Sequence, residues 1–427
     1  MREDLSIISW NVTGKCNLRC GHCYLPARFA YAGPEEKNAG ADKDGELGTP
    51  EALRLIERIA AVNPETMLIL SGGEPLLRRD IYELASCARQ KGMMVVVGTN
   101  GTLVDAAAAR MMKGSGVSGI SIGLDSATAE IHDAVRAMPG SWDAAVNAAS
   151  LCRQQGIQVQ VNTVITSRNL AQVPELIEFA GSLGAKVFSP FFLVCTGRAE
   201  ELTDITPGQY EEVLSMIAKS GGSRAKMMIR TRCAPTMRRI LHTLNPASPL
   251  LQVDTGRCLA GRTYCRIAPD GTVTACPYLP APLGNVRTAD FGDIWRTSPI
   301  FESLRSPILK GKCGACEYRL LCGGCRARAY AFKKDFLDED PWCAYEPEGG
   351  EVVTPPTLAE SKTEGAPPQW SEAAIERLKR VPFFVRPMVK TAVERYAAQQ
   401  GCHEITPEIM EQLKCRVRRP AMDEHGD

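Results

Sequence analysis

From residue 6 to about residue 245 the chain alternates between two hydrophobic periods. "SIISWNVT", "ETMLIL", "MMVVVG", "VSGISIGLD", "IQVQVNTVI" and "AKVFSPFF" are short apolar runs rich in β-branched residues. They are interleaved with "TPEALRLIERIAAV", "RDIYELASCARQKG", "DAAAARMMKG", "SWDAAVNAASLCRQQG" and "VPELIEFAGSLG", whose apolar residues recur at helical spacing. In the first of these helices Thr49 is a candidate N-cap, with Pro50 at the first helical position. Six strand–helix units demand right-handed βαβ crossovers and so a parallel sheet. Such a sheet is doubly wound or curved into a barrel, and either way chemistry gathers at the carboxyl ends of its strands.

Beyond this region the character changes. Residues 246–345 lose helical periodicity and concentrate glycine, proline and cysteine. Residues 346–368, "EPEGGEVVTPPTLAESKTEGAPP", read as a flexible linker. Residues 369–418 turn helical again and predict a small third domain after a core at 1–245 and a cysteine-rich domain at 246–345. A formal net charge of +1 with 23% charged residues gives no global field that would recruit nucleic acid. Apolar stretches such as "VFSPFFLV" are too short to span a bilayer, and "MREDLSIISW" lacks a signal-like apolar run, so a cytoplasmic protein is expected.

Seventeen cysteines against five scattered histidines point to thiolate ligation of zinc or iron–sulfur clusters. Cys16, Cys20 and Cys23 form a CxxxCxxC set directly after the first strand. Three such thiols fit three corners of a 4Fe–4S cube with one iron left open, or a zinc site with a remote fourth thiol. A second set comprises Cys258, Cys265, Cys276, Cys313, Cys316, Cys322, Cys325 and Cys343, enough for two zinc ribbons or two clusters. The remaining six (Cys87, Cys152, Cys195, Cys233, Cys402, Cys415) are isolated in sequence and read as small buried hydrophobes, Cys195 lying near the presumed pocket.

With "CGHCY", the triplet resembles the cluster motif of the radical S-adenosylmethionine (radical SAM) enzymes, and that family's later landmarks follow in order. "SGGEP" follows the second strand, and by resemblance Gly72, Gly73 and Glu74 line the methionine amino group, the glycines permitting close approach. Tyr24 closes the cluster motif, Thr99 and Asn100 end the third strand, and Ser121 and Asp125 are placed like ribose-contacting residues. Arg136 is placed to pair with the methionine carboxylate, and Asn162 is a further candidate on the fifth strand. The resemblance implies an α/β fold, a partial (β/α)6 TIM-like barrel, whose cofactor work is generation of a 5′-deoxyadenosyl radical.

The second cysteine set resembles the SPASM extension that holds auxiliary 4Fe–4S clusters. By that resemblance Cys258, Cys265, Cys276 and Cys325 hold one cluster, and Cys313, Cys316, Cys322 and Cys343 the other. The Cys322–Cys325 spacing departs from the common pattern, with two intervening residues instead of three. Stretches such as "FFLVCTGRA", "CLAGRTYCRIAPDG" and "CGGCRARAYAF" resemble the haem-biosynthetic branch of the family. That branch implies oxidative decarboxylation of two propionates of Fe-coproporphyrin III to vinyls, with deacetylation of didecarboxysiroheme, haem d1 maturation or peptide maturation as alternatives. A non-enzymatic alternative is a zinc-bound scaffold. A tetrapyrrole needs an apolar slot and cations for its carboxylates: Phe191, Phe192 and Leu193 are candidates for the first, and Arg198, Arg262, Arg266, Arg326 and Arg328 for the second. The expected partners are a tetrapyrrole and an electron donor such as a ferredoxin or flavodoxin. The C-terminal helices, with their "PFFVR" core, resemble the small C-terminal domain found in dark-operative protochlorophyllide reductase, another tetrapyrrole enzyme.

Overall fold

The computed structural model describes residues 5–25, 28–29, 45–199, 205–220, 223–224, 227–246, 248, 251, 257–355, 368–381 and 386–418. The six expected strands are present as β1 (Ile7–Thr13), β2 (Met67–Gly72), β3 (Met94–Thr99), β4 (Gly119–Gly123), β5 (Gln158–Ile165) and β6 (Val187–Phe192). They pair in parallel in that order. Crossovers run through α1 (Thr49–Val62), α2 (Ile81–Gln90), α3 (Ala106–Gly114), α4 (Ala129–Arg136), α5 (Ser141–Gln154) and α6 (Val173–Ser182). α7 (Pro207–Lys219) follows β6. α1 begins one residue earlier than its motif suggests: Gly48 is the N-cap, its N–H donating to Glu51 Oε2 at 2.9 Å, while the Thr49 hydroxyl donates to Asp80 Oδ2 at 2.7 Å.

Five further strands extend this core to an eleven-stranded sheet: β7 (Ser223–Arg224), β8 (Met227–Ile229), β9 (Tyr264–Ile267), β10 (Thr272–Cys276) and β11 (Leu279–Asn285). The order is β11-β10-β9-β1-β2-β3-β4-β5-β6-β8-β7, and β9 pairs parallel to β1. The sheet therefore crosses the expected boundary at residue 245, and the cysteine-rich region is grafted onto the edge of the core. That region continues with α9 (Phe291–Thr297), α10 (Pro299–Arg305), α11 (Gly311–Ala315) and α12 (Arg326–Lys333), after α8 (Thr236–Leu244).

Strand alternation divides the sheet into two chemistries. Ile8, Trp10, Val12, Leu68, Leu70, Val95, Val97, Ile120 and Ile122 pack with Leu55, Ile56, Ile59 and Leu84 in one large core beneath the helices. Burying each such side chain contributes about 1.5–3 kcal/mol. The opposite face is graded along the strands. At their starts Met67, Val96 and Val187 form a separate apolar cluster; at their ends it carries Asn11, Ser71, Ser121 and Asn162.

The C-terminal helices are α13 (Glu372–Lys379), α14 (Arg386–Gln399) and α15 (Pro407–Arg418). Their Val381 and Val389 pack against the Met67–Val96–Val187 cluster, and Lys390 Nζ meets Glu65 Oε2 at 2.8 Å. This unit thus covers the strand starts, the end of the sheet away from the cysteine loop. Of its "PFFVR" core, residues 382–385 lie outside the described residues. So do residues 356–367 of the expected linker, whose first part is anchored, the Val353 N–H donating to the Glu317 carbonyl at 2.9 Å.

Candidate active site

The CxxxCxxC loop leaves the carboxyl end of β1, with Cys16 and Cys20 buried and Cys23 half-buried. Burial pushes the Cys16 thiol up to about 11 and raises Cys23 as well, so anionic sulfur here needs compensating partners. Two donors aim at sulfur already: the Leu18 N–H at 3.4 Å from Cys16 Sγ, and Arg136 Nη1 at 3.8 Å from Cys20 Sγ. The loop is stitched to the Gly-Gly-Glu segment at the end of β2, where Gly73 N–H donates to the Thr13 carbonyl at 2.9 Å and Glu74 N–H to the Lys15 carbonyl at 2.8 Å. Gly72 has φ of +138°, and a Cβ at either glycine would run into the backbone of Thr13 or Lys15. The glycines are demanded by this backbone contact.

Glu74 is fully buried, and its carboxylate accepts from Leu76 N–H (3.1 Å), Thr99 Oγ1 (2.9 Å) and Asn100 N–H (2.9 Å). Burial lifts its pKa to about 7 despite these donors. Thr99 and Asn100 therefore fix Glu74, and Asn100 Nδ2 also donates to Asn17 Oδ1 within the cysteine loop at 2.8 Å. Asn17 and Thr102, joined at 2.7 Å, complete a polar clasp that the motif positions alone do not reveal.

Arg136, at the end of α4, lies across Gly123 and meets Asp125 Oδ2 at 2.8 Å. Burial pushes Asp125 upward, but Arg136, His22 and His132 outweigh it and hold the carboxylate below its ordinary range. Asp125 Oδ1 accepts from Val164 N–H at 3.0 Å, and His22 Nε2 stands 3.7 Å from Oδ2. On the polar face, Asn162 Nδ2 donates to Ser121 Oγ at 2.5 Å and Gln160 Nε2 to Asn162 Oδ1 at 2.7 Å. Gln160 belongs to no motif, although its two-residue offset from Asn162 puts both on one face of β5. Tyr24 accepts from Asn11 Nδ2 at 3.0 Å and stacks edge-on with Tyr278 at 5.2 Å.

In the cysteine-rich region, Cys313, Cys316, Cys322 and Cys343 line one cleft. Backbone N–H groups of Asp340, Tyr318 and Gly324 each lie 3.4 Å from the sulfurs of Cys313, Cys316 and Cys322. The short Cys322–Cys325 spacing is bridged by Gly323 and Gly324, at φ of +66° and +65°, so the chain reverses and Cys325 departs as the N-cap of α12. Among the described residues no three His, Cys, Asp or Glu side chains stand close enough to share a single metal ion.

Comparison with known proteins bears on these sites. Residues 10–180 match the Radical SAM superfamily, 258–317 an iron–sulfur cluster-binding (SPASM) domain, and 370–414 the proto-chlorophyllide reductase 57 kD subunit. An AdoMet-dependent heme synthase of Methanosarcina barkeri is 37% identical over 80% of this chain and 97% of its own. The chain belongs to the radical SAM family. The corresponding protein of Nitratidesulfovibrio vulgaris is also 37% identical, over 80% of this chain and 92% of its own. Streptococcus suis SuiB bound to S-adenosylmethionine shares the fold, with a TM-score of 0.60 at 19% identity, covering 80% of this chain and 78% of that one.

This radical SAM enzyme carries 4Fe–4S clusters and uses S-adenosylmethionine. Its residues fit them: the two thiol groups described above are each met by N–H donors of the kind that stabilise metal-bound thiolate. The five candidate arginines have other partners in the structure. Arg198 donates to the Cys20 carbonyl (2.9 Å) while its side chain stays exposed, and Arg266 donates to Asn11 Oδ1 (2.7 Å). Arg326 holds the carbonyls of Phe336 and Asp338, and Arg262 is buried in the turn before β9. Arg328 is wholly buried, bidentate with Asp340. Phe192 and Leu193 belong to the core, leaving Phe191 half-buried. Of the six cysteines expected to be buried hydrophobes only Cys152 is fully buried; Cys415 is exposed on α15.

Proposed function

We propose that this radical SAM enzyme oxidatively decarboxylates two propionate side chains of Fe-coproporphyrin III to vinyl groups, forming protohaem. The observation that carries this reading is the 37% identity to the Methanosarcina barkeri haem synthase over 97% of that protein. Each conversion removes a hydrogen atom from the carbon next to the macrocycle, then the carboxylate as CO2, and leaves one surplus electron. The bound cluster and S-adenosylmethionine supply the radical that takes the hydrogen.

The chain's own residues orient and shield. Arg136, held cationic by Asp125, suits a carboxylate, and the Ser121–Gln160–Asn162 row suits hydroxyl groups. The exposed guanidinium of Arg198, one residue past a glycine packed on the cysteine loop, suits a propionate, and Phe191 offers an aromatic wall. A one-electron donor of ferredoxin or flavodoxin type completes the partners.

The test is anaerobic turnover of Fe-coproporphyrin III with S-adenosylmethionine and a reductant, read by mass spectrometry. Two successive losses, each of CO2 plus two hydrogens, are expected. Turnover of didecarboxysiroheme or a peptide with Fe-coproporphyrin III untouched would refute the proposal.

A further inference from the structure

The resemblance to the SPASM extension assigns Cys265 to a cluster with Cys258, Cys276 and Cys325, yet its strand turns it elsewhere. In β9 the side chains of Tyr264 and Arg266 share the face that meets β1's Ser9 and Asn11, Arg266 bonding Asn11 and Tyr264 bonding Ser9. Cys265 and Ile267 alternate to the opposite face, wholly buried in the core that holds Ile8 and Trp10. The charged group near Cys265 is Arg305, which lies over the rings of Trp295 and Phe301 in the helix layer of α9 and α10.

A different thiol stands where the fourth ligand is needed. Cys233 follows the bridge between Arg232 and Phe191 at the end of β6, and its thiol is hydrogen-bonded to that of Cys325. Cys276 lies within electrostatic reach of Cys233, Cys258 and Cys325, so the four sulfurs share one neighbourhood. Cys233 also holds a left-handed backbone, φ of +55°, one of three non-glycine residues to do so among those described. L side chains adopt that conformation only at a cost, and such strain concentrates where geometry serves a site.

We infer that Cys233, with Cys258, Cys276 and Cys325, ligates the first auxiliary 4Fe–4S cluster, and that Cys265 is a core residue. The fourth ligand then comes from the segment just past β8, beside the end of the strand that carries Phe191, and ties the auxiliary cluster to the catalytic end of the sheet. The inference rests on the family's cluster content and not on the identity of the substrate, so it stands or falls independently of Fe-coproporphyrin III turnover.

The experiment purifies the full-length chain anaerobically as wild type, Cys233→Ala, Cys233→Ser, Cys265→Ala and, as a reference, Cys276→Ala. Iron and sulfide per chain, Mössbauer spectra and reduced-state EPR are compared, with circular dichroism reporting the fold. Cys265→Ala is expected to match wild type. Cys233→Ala is expected to match Cys276→Ala, losing about a third of the iron if one of three four-iron clusters is lost. Cys233→Ser, which offers oxygen in place of sulfur, is expected to shift the spectrum of that cluster alone. Wild-type iron and spectra in both Cys233 variants, or loss of the same third in Cys265→Ala, would overturn the inference.

Discussion

Replacing Asp340 by asparagine tests the arrangement that ties α12 to the cysteine-rich region. Asp340 and Arg328 are both completely buried. The carboxylate accepts from Arg328 Nε (2.7 Å) and Nη2 (2.8 Å), from Cys325 N–H (2.8 Å) and from Trp342 N–H (3.1 Å). The guanidinium lies over the rings of both Tyr210 and Trp342, with centroids at 5.0 and 4.7 Å. Burial pushes Asp340 upward, but Arg328 dominates and holds it ionised. Asparagine keeps one acceptor oxygen, turns an NH2 toward a donor and strands a buried cation. Breaking a buried pair in this way costs about 3–5 kcal/mol, a large share of a typical folding free energy. The assay is anaerobic thermal unfolding of the iron-loaded protein, followed by circular dichroism together with retained iron. A drop of several degrees is expected, with an altered auxiliary-cluster signal because Cys325 loses its backbone anchor. Adding Arg328→Met removes the stranded charge, so the double variant should be more stable than Asp340→Asn alone. An Asp340→Asn protein within about 1 kcal/mol of wild type, or a double variant no better than the single, would refute the reasoning.

Other perturbations follow from the same geometry. His132 accepts from Asp125 N–H at 3.1 Å, and burial, helped by Arg136, depresses its pKa to about 4. Above pH 6.5 neither state holds the proton; below it the unfolded chain takes one up that the native chain refuses. Stability is therefore lost as pH falls from 6.5 toward 4, by roughly 3 kcal/mol, and denaturation of His132→Gln should show a flatter slope over that window. Gly73→Ala drives a methyl group into the Lys15 carbonyl and should cost the first cluster its iron while sparing the auxiliary signals, measured by EPR with and without S-adenosylmethionine. Cys316→Ala and Cys343→Ala, which alter only the second thiol cleft, should leave S-adenosylmethionine cleavage near wild type and impair vinyl formation. A chain ending at residue 355 uncovers Met67, Val96 and Val187 and should aggregate more readily, yet retain S-adenosylmethionine cleavage, because that patch lies at the opposite end of the strands.

What the chain discloses depends on whether a feature is one of period or of facing. Short runs rich in β-branched residues alternate with segments of helical period, which is why β1 to β6 and their crossovers are legible without a structure. The cysteine triplet and the Gly-Gly-Glu segment are legible as residue types, but the demand for glycine comes from Thr13 and Lys15, some sixty residues away in sequence, which spacing cannot report. Arg328 and Arg198 share one residue type, yet one is sealed against Asp340 and the other exposed, because tertiary partners set the fate of a cation. Cys265 makes the same point at the smallest scale. In a strand of period two, the residue beside Arg266 must face the other side of the sheet, so a thiol one position from the polar face belongs to the helix layer however well its spacing matches a motif. Cys233 has no motif around it, and only the course of the chain past β8, alongside the end of β6, brings it to Cys325. A ligand set is a statement about facing, so a motif bounds the candidates and the pleat of the sheet chooses among them.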